Sequence, residues 1–391
     1  MINKAKTKIE VYMLLITSVI FVFHLFSAQN NSEILAQTSF TPINQKVMTI
    51  FYDGISTSPI KDIDILTSEV KSDLEEASRF HGYNNSSARK EISFEIVEKH
   101  HVLGNTPQNN GKADYNEIID MFNICQKVND GTIDEIWVWA DDNGNLGEAS
   151  IAGPANRIFN INGSVIKRED CNKPVVIMGF NYEREAKEAV HDFGHRMERT
   201  IPKLVDGKSL FDVKQGDTWY EFDGNGYPSS CTPVTIKGMQ VNSCNVNGLG
   251  YCGNVHFTPF SKIDYSGYLD TGESGLSDCE NWNPQHSNPK IKIDCTKWNC
   301  NALGHLTWWF QNMPGRCSGI SQLNGKSMPN WWWLFLKFDQ PEPDWGCPAA
   351  QQPTPQPTPT PSLEEVCDGR DNTNNNIVDE NLEDICYAGK H

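Results

Sequence analysis

Apolar residues fall into two alternating periods along the first half of the chain. Val47–Tyr52, Ile136–Ala140 and Val175–Phe180 are short apolar runs of the kind that form buried strands, and Ile92–Val97 alternates like a strand with one face covered. Between them, Ile63–Phe80 has helical spacing, with Ile65, Val70 and Leu74 among its apolar positions, and Tyr115–Val128 reads as one helix. Strands that alternate with helices predict an α/β domain, a central sheet with covering helices. The pattern leaves the strand order open.

The segment 181–203, NYEREAKEAVHDFGHRMERTIPK, predicts the most informative helix. At 100° per residue, Ala186, Ala189, Val190, Phe193, Met197 and Ile201 share one face, while Glu188, His191, Asp192, His195 and Glu198 share the other. Gly194 costs a helix interior about 1 kcal/mol relative to alanine, so it predicts close approach of another segment. His191 and His195 stand four apart, the spacing that aims two imidazoles at one metal ion. The stretch resembles the HExxH helix of the zinc metallopeptidases, with Asp192 where that family has its general-base glutamate. The resemblance implies zinc and a hydrolase. The aspartate, one methylene shorter, sets its carboxylate back by about 1.5 Å, a distance that matters for proton transfer. The catalytic candidates are therefore Glu188, Asp192, His195 and Glu198, and the zinc-ligand candidates are His191, His195 and His256. The last lies in CGNVHFTPFSKIDY, where a bridged Cys252 would hold it rigidly. Asp264 in that stretch is a weaker candidate. Glu148 follows ADDNGNLG, past the end of a predicted strand, where α/β domains place active residues. The Asp-Asn-Gly cluster itself reads as a tight turn.

After residue 206 the pattern changes. Residues 206–347 are rich in Gly, Asn, Cys and Trp and show little helical periodicity, so a loop-rich, disulfide-containing, Trp-rich region is expected after the sheet. Nine of the eleven tryptophans lie between Trp219 and Trp345. Their first reading is core. Their second is an aromatic platform for sugar rings, which makes a non-catalytic glycan-binding or surface protein the alternative to an enzyme. Residues 348–362 alternate Pro with Thr and Gln and predict an extended linker. Residues 363–391 form a small acidic C-terminal module.

The N-terminus and the cysteines add a compartment. Lys4, Lys6 and Lys8 precede an apolar run from Val11 to Phe26. This is the form of a secretory signal, and the run is shorter than the ~20 apolar residues of a membrane-spanning helix. Phe26 before Ala28 and Ile34 before Ala36 make poor cleavage sites, so residues 1–36 are a signal peptide or an N-terminal anchor. That segment is the only expected membrane contact. The chain has 12 cysteines, ten of them between Cys231 and Cys386, and no C-x-x-C pair. An exported chain with such a set carries disulfides, whose connectivity the spacing does not give. A net charge of −17 excludes a nucleic-acid partner, which needs a basic surface. Expected partners are extracellular or cell-surface substrates, peptide or glycan.

Two resemblances complete the reading. IAGPANRIFN at 151, VIMGFNYERE at 176, DFGHRMER at 192, YCGNVHFTP at 251 and NWWWLF at 330 are together similar to a family of uncharacterised secreted bacterial proteins. The resemblance spans roughly residues 130–340. It implies FGHR-x-E as the shared core and no requirement for histidine at His191, which shifts weight to Glu188, His195, Arg196, Glu198 and His256 as a metal site, an acid/base pair or a buried polar network. The tail sequence VCDGRDNTNNNIVDE, residues 366–380, is similar to the CDGxDNDCDGxVDE metal-binding motif of secreted bacterial proteins. That resemblance and the spacing of its oxygen ligands imply Ca2+ at Asp371, Thr373, Asn375, Asp379 and Glu380.

Overall fold

The computed structural model describes residues 40–54, 59–205, 213–215, 218–220, 231–236, 239–244, 252–261, 267–269 and 272–347. The chain divides into two compact units, 1–343 and 344–391, and every element below belongs to the first. The signal segment, Asp264, the Pro-Thr linker and the calcium ligands expected at Asp371, Thr373, Asn375, Asp379 and Glu380 lie outside the described residues.

The strands are β1 (Ile43–Tyr52), β2 (Ile92–Val102), β3 (Glu135–Ala140), β4 (Ala149–Gly153), β5 (Val165–Lys167) and β6 (Val175–Asn181). They form one sheet in the order β2-β1-β3-β6-β4-β5, parallel except where β4 runs against β6. The helices are α1 (Ile63–Ala77), α2 (Tyr115–Met121), α3 (Ile124–Asn129), α4 (Ala186–Leu204), α5 (Ala302–Phe310) and α6 (Trp331–Lys337). Because strand side chains alternate, Met48, Ile50, Tyr52, Ile136, Val138, Val175 and Ile177 pack with Ile118, Ile124 and Val128 of α2 and α3 on one face. The other face carries an aromatic cluster in which Trp137 meets Phe94, Phe180 and Phe193 at ring-centroid distances of 5.1, 5.8 and 5.6 Å.

The α/β class and the four expected strands are present, and four corrections apply. The helix expected over Tyr115–Val128 is two, broken at Asn123, whose φ of +51° takes the backbone out of the helix. Ile65 is 53% exposed, and Leu66 takes its place in the core. The strands β4 and β5 carried no signal, because Ala, Ser and Gly in β4 have little strand preference. Finally, the region beyond 206 does contain helices. In α6, Trp331, Trp332, Phe335 and Leu336 are all buried, and a helix covered on every side has no amphipathic period to detect.

The Trp-rich region folds back on the sheet domain. Glu91 at the start of β2 joins them: its carboxylate accepts from the Arg316 backbone at 3.1 Å and from the Asn330 side chain at 2.9 Å. Trp298, Trp308, Trp309, Trp331 and Trp332 are buried, so these tryptophans are core and offer no sugar platform. Cys125–Cys171, Cys252–Cys279 and Cys295–Cys300 are disulfides, and no free thiol occurs among the described residues. Such bonds belong to oxidising compartments. Among the described residues no helix is long and apolar enough to cross a membrane.

Arg196 and Glu135 form a fully buried ion pair at 2.8 Å that ties α4 to β3, and Arg196 also donates to the Phe335 carbonyl at 2.9 Å. Removing one partner of such a pair strands a charge and costs about 3–5 kcal/mol, whereas replacing both by apolar residues is far milder. Arg196→Met alone should therefore unfold at markedly lower urea than Arg196→Met combined with Glu135→Leu. Equal loss in both would contradict the pairing.

Candidate metal centre

The strand β6 ends at Asn181, and α4 starts five residues later and runs back over the sheet. Its apolar face covers the aromatic cluster, as expected. Its polar face is also covered: His195 is 9% exposed and Glu198 2%. The cover is the segment 252–261. Gly194 is the point of contact, since a Cβ there would collide with the Val255 side chain. The close approach that the helix glycine implied is the one that delivers His256.

The segment that carries His256 is held at several points. Cys252 is bonded to Cys279. The Asn254 side chain accepts from the backbone N–H of His256 at 2.8 Å and of Phe257 at 2.9 Å, a local turn that fixes the direction of the His256 side chain. The Tyr268 hydroxyl donates to the Val255 carbonyl.

His191, His195 and His256 therefore converge. One ring nitrogen from each lies within 4.8 Å of the others, and Nε2 of His191 is 3.1 Å from Nε2 of His256. Tetrahedral zinc with Zn–N bonds of ~2.1 Å sets its nitrogens about 3.4 Å apart; the His191–His256 pair is near that value, and the full set, within 4.8 Å, would draw together around an ion. The rings of His191 and His256 stack at 14°, and the His195 ring stands across them at 85° and 88°. Nδ1 of His195 faces the Glu198 carboxylate at 3.3 Å, which leaves Nε2 for the metal. The other oxygen of Glu198 accepts from the Val255 backbone at 2.8 Å. A carboxylate behind a metal-binding imidazole fixes its tautomer and ring orientation, and this one also fastens the segment bearing the third ligand.

The electrostatics match a site for a cation. Burial, then the neighbouring His195 and His305, push His191 down to about 3, and burial with His195 and His191 pushes His256 down to about 2. Both stay neutral, the form that binds metal. Burial opposes the charge on His195 as well, but the hydrogen bond and charge of Glu198, with Glu148, outweigh it and raise that group. A cavity of about 340 Å³ opens beside the triad, lined by Asp141, Glu148, Arg184, Glu188, His191 and Asp192 among others. Burial, then Glu148 and Glu188, raise the Asp192 carboxyl well above the usual range.

The structure thus brings together every zinc ligand read from the sequence and places Glu188 and Asp192 on the cavity wall. It sets Glu198 behind His195, and Arg196 on the opposite side with Glu135. The Asp141–Asn145 stretch is a turn, with Asp141 capping a short 3-10 helix. Asn254 escaped the sequence reading, although an Asn two residues before the ligand was a local signal. These features define the molecule as an α/β protein with a buried three-histidine candidate metal centre. No protein-family model matches the chain, and no curated protein matches it at a significant level.

His305 supplies a test of how closely this region is packed. It is fully buried against Tyr268 and Trp298, and neither ring nitrogen has a hydrogen-bond partner among the described residues. Burial pushes it down to about 3, against about 6.5 in an unfolded chain. Below pH 6.5 the unfolded chain therefore takes up a proton that the folded chain refuses. The stability this group allows is present above pH 6.5 and is lost as pH falls toward 3. Relative to a His305→Leu variant, the metal-free protein should lose about 2 kcal/mol between pH 7 and pH 5 in urea titrations. Parallel pH profiles would refute the burial of a neutral imidazole.

Proposed function

We propose that this protein is an exported metal-dependent hydrolase, with zinc held by His191, His195 and His256, acting on an extracellular peptide. The observation that carries the reading is the convergence of three imidazole nitrogens within 4.8 Å beside a cavity. A structural zinc site uses four protein ligands, while a catalytic one uses three and leaves a position open. Zinc bound there supplies a water whose pKa falls to about 7 and an electrophile for a carbonyl oxygen.

The residues of the chain do the rest. Glu198 holds His195 with Nε2 forward. The 252–261 segment and the Trp-rich core behind it keep solvent from the back of the triad. The cavity admits substrate from the side of Glu148, Glu188 and Asp192. The likeness of HDFGH to the zinc metallopeptidase helix supports a peptide rather than a glycan as substrate, and the burial of Trp298, Trp308, Trp309, Trp331 and Trp332 weakens the glycan-binding alternative. The disulfides and the signal-like N-terminus support export. The acidic tail, with Asp371, Thr373, Asn375, Asp379 and Glu380, is proposed as a separate calcium module on its motif alone.

Metal analysis of the purified protein decides the centre. One zinc per chain is expected, lost in His195→Ala and in His256→Ala, together with chelator-sensitive cleavage of a mixed peptide pool. No zinc above background would overturn the metal centre. One zinc per chain without cleavage of any peptide would overturn the hydrolase. Calcium should appear as a second ion that Asp371→Ala removes and His195→Ala does not.

A further inference from the structure

In HExxH enzymes the carboxylate next to the first histidine serves the metal site, and by sequence that position is Asp192. The geometry points elsewhere. Among the described residues, the carboxylates within 4.0 Å of a triad nitrogen are Glu198 and Glu148. Glu198 is spent on Nδ1 of His195, behind the ring. Glu148 Oε2 stands 4.0 Å from Nε2, on the metal side. That distance falls within the 4.8 Å span of the triad nitrogens themselves, so the Glu148 carboxylate borders the open side of the centre, where an attacking water would be.

Glu148 is held there from three directions. Its carbonyl accepts from the Gly179 N–H of β6 at 3.1 Å, and the N–H of Gly147 donates to the Tyr115 hydroxyl at 2.6 Å. The approach of this segment to β6 needs the glycine: a Cβ on Gly179 would lie 2.6 Å from both the Gly147 carbonyl oxygen and the Leu146 Cβ. At the side chain, the Asn162 amide donates to Glu148 Oε2, and its own oxygen faces Arg199 on α4 at 3.4 Å. Asn162 has φ +100°, while the other described non-glycine residues at positive φ lie between +46° and +57°. A side chain kept in that sparsely populated backbone state is a mark of functional positions. The Glu148 side chain stays 44% exposed, so a proton taken up there has a route to the leaving group or to solvent.

We propose that Glu148, reached from the sheet and held by the Asn162 amide, is the catalytic base of this centre; the inference rests on the hydrolase reading above. In the step assigned to it, the oxygen of a water bonds to the substrate carbonyl carbon while Glu148 takes a proton from that water. Glu148 then returns the proton to the amide nitrogen as the C–N bond breaks. The acyl group leaves as a carboxylic acid and the nitrogen as an amine, and the Glu148 carboxylate is restored.

The test compares Glu148→Gln, Asp192→Asn and the parent, each as the full chain loaded with zinc. Glu148→Gln should keep one zinc per chain and an unchanged visible spectrum after cobalt substitution. It should lose cleavage by roughly 10²–10⁴-fold, the usual contribution of a positioned base, and added formate should restore part of the rate. Asp192→Asn, on the substrate side of the cavity, should show its loss mainly in KM, whereas Glu148→Gln should show it in kcat. A second readout needs no turnover: acetohydroxamate, which gives up a proton on binding zinc, should bind Glu148→Gln at least tenfold more weakly and Asp192→Asn nearly normally. Loss of zinc in Glu148→Gln would make Glu148 a ligand and overturn the proposal. So would unchanged cleavage and hydroxamate binding in Glu148→Gln. A parent that binds zinc and hydroxamate but cleaves nothing would overturn the hydrolase reading, and the hydroxamate comparison would still report on the place of Glu148.

Discussion

One buried carboxylate organises the site. Glu198 accepts from the His195 ring with one oxygen and from the Val255 backbone with the other, so a single side chain sets the orientation of a helix ligand and the position of the segment that brings the third ligand. A carboxylate taken out of water is costly unless both oxygens are satisfied, and here one partner lies three residues away on the same helix and the other 57 residues further along the chain. The close packing at Gly194 is the steric half of the same junction. A larger residue would push Val255 away, and the Glu198 bond and His256 would move with it.

The sheet domain gives this junction a fixed base. The aromatic cluster of Trp137, Phe180 and Phe193 anchors the apolar face of α4, and the Arg196–Glu135 pair pins the helix to β3 at the residue next to His195. On the other flank, Glu91 and the buried tryptophans hold the second half of the chain against the first. The acidic wall of the cavity is then built from two sources. Asp192 and Glu188 come from the helix, and Glu148 comes from the segment between β3 and β4. The centre therefore depends on the register of β6 with both neighbours, as well as on the helix that bears two of its ligands.

The sequence carried the local part of this and not the non-local part. Four strands, α1 and α4 are legible, β3 and β6 as apolar runs buried on both faces and the helices by an apolar stripe at helical spacing. The shared face of His191 and His195 was readable from the helix projection and Gly194 announced a close neighbour, but the covering of that face came from the segment around Val255, 57 residues beyond Glu198, and was not readable. His256 could be nominated through its nearness to Cys252, but the bond from Cys252 to Cys279 could not be read from spacing. The short strands β4, made largely of residues with weak preferences, and β5, only three residues long, were invisible, and with them the placement of Asn162 beside Glu148. The tryptophans were ambiguous for a related reason: α6 is buried on all sides, so its sequence shows hydrophobicity without a direction.

The central claim is that three imidazoles from two elements share one ion. A zinc-edge anomalous difference map from crystals of the zinc-loaded protein examines it directly. The account predicts a single strong peak about 2.1 Å from one ring nitrogen each of His191, His195 and His256, with Nδ1 of His195 still on Glu198. A peak that touches fewer than three of these rings, or that sits among the carboxylates of the cavity instead, would contradict it.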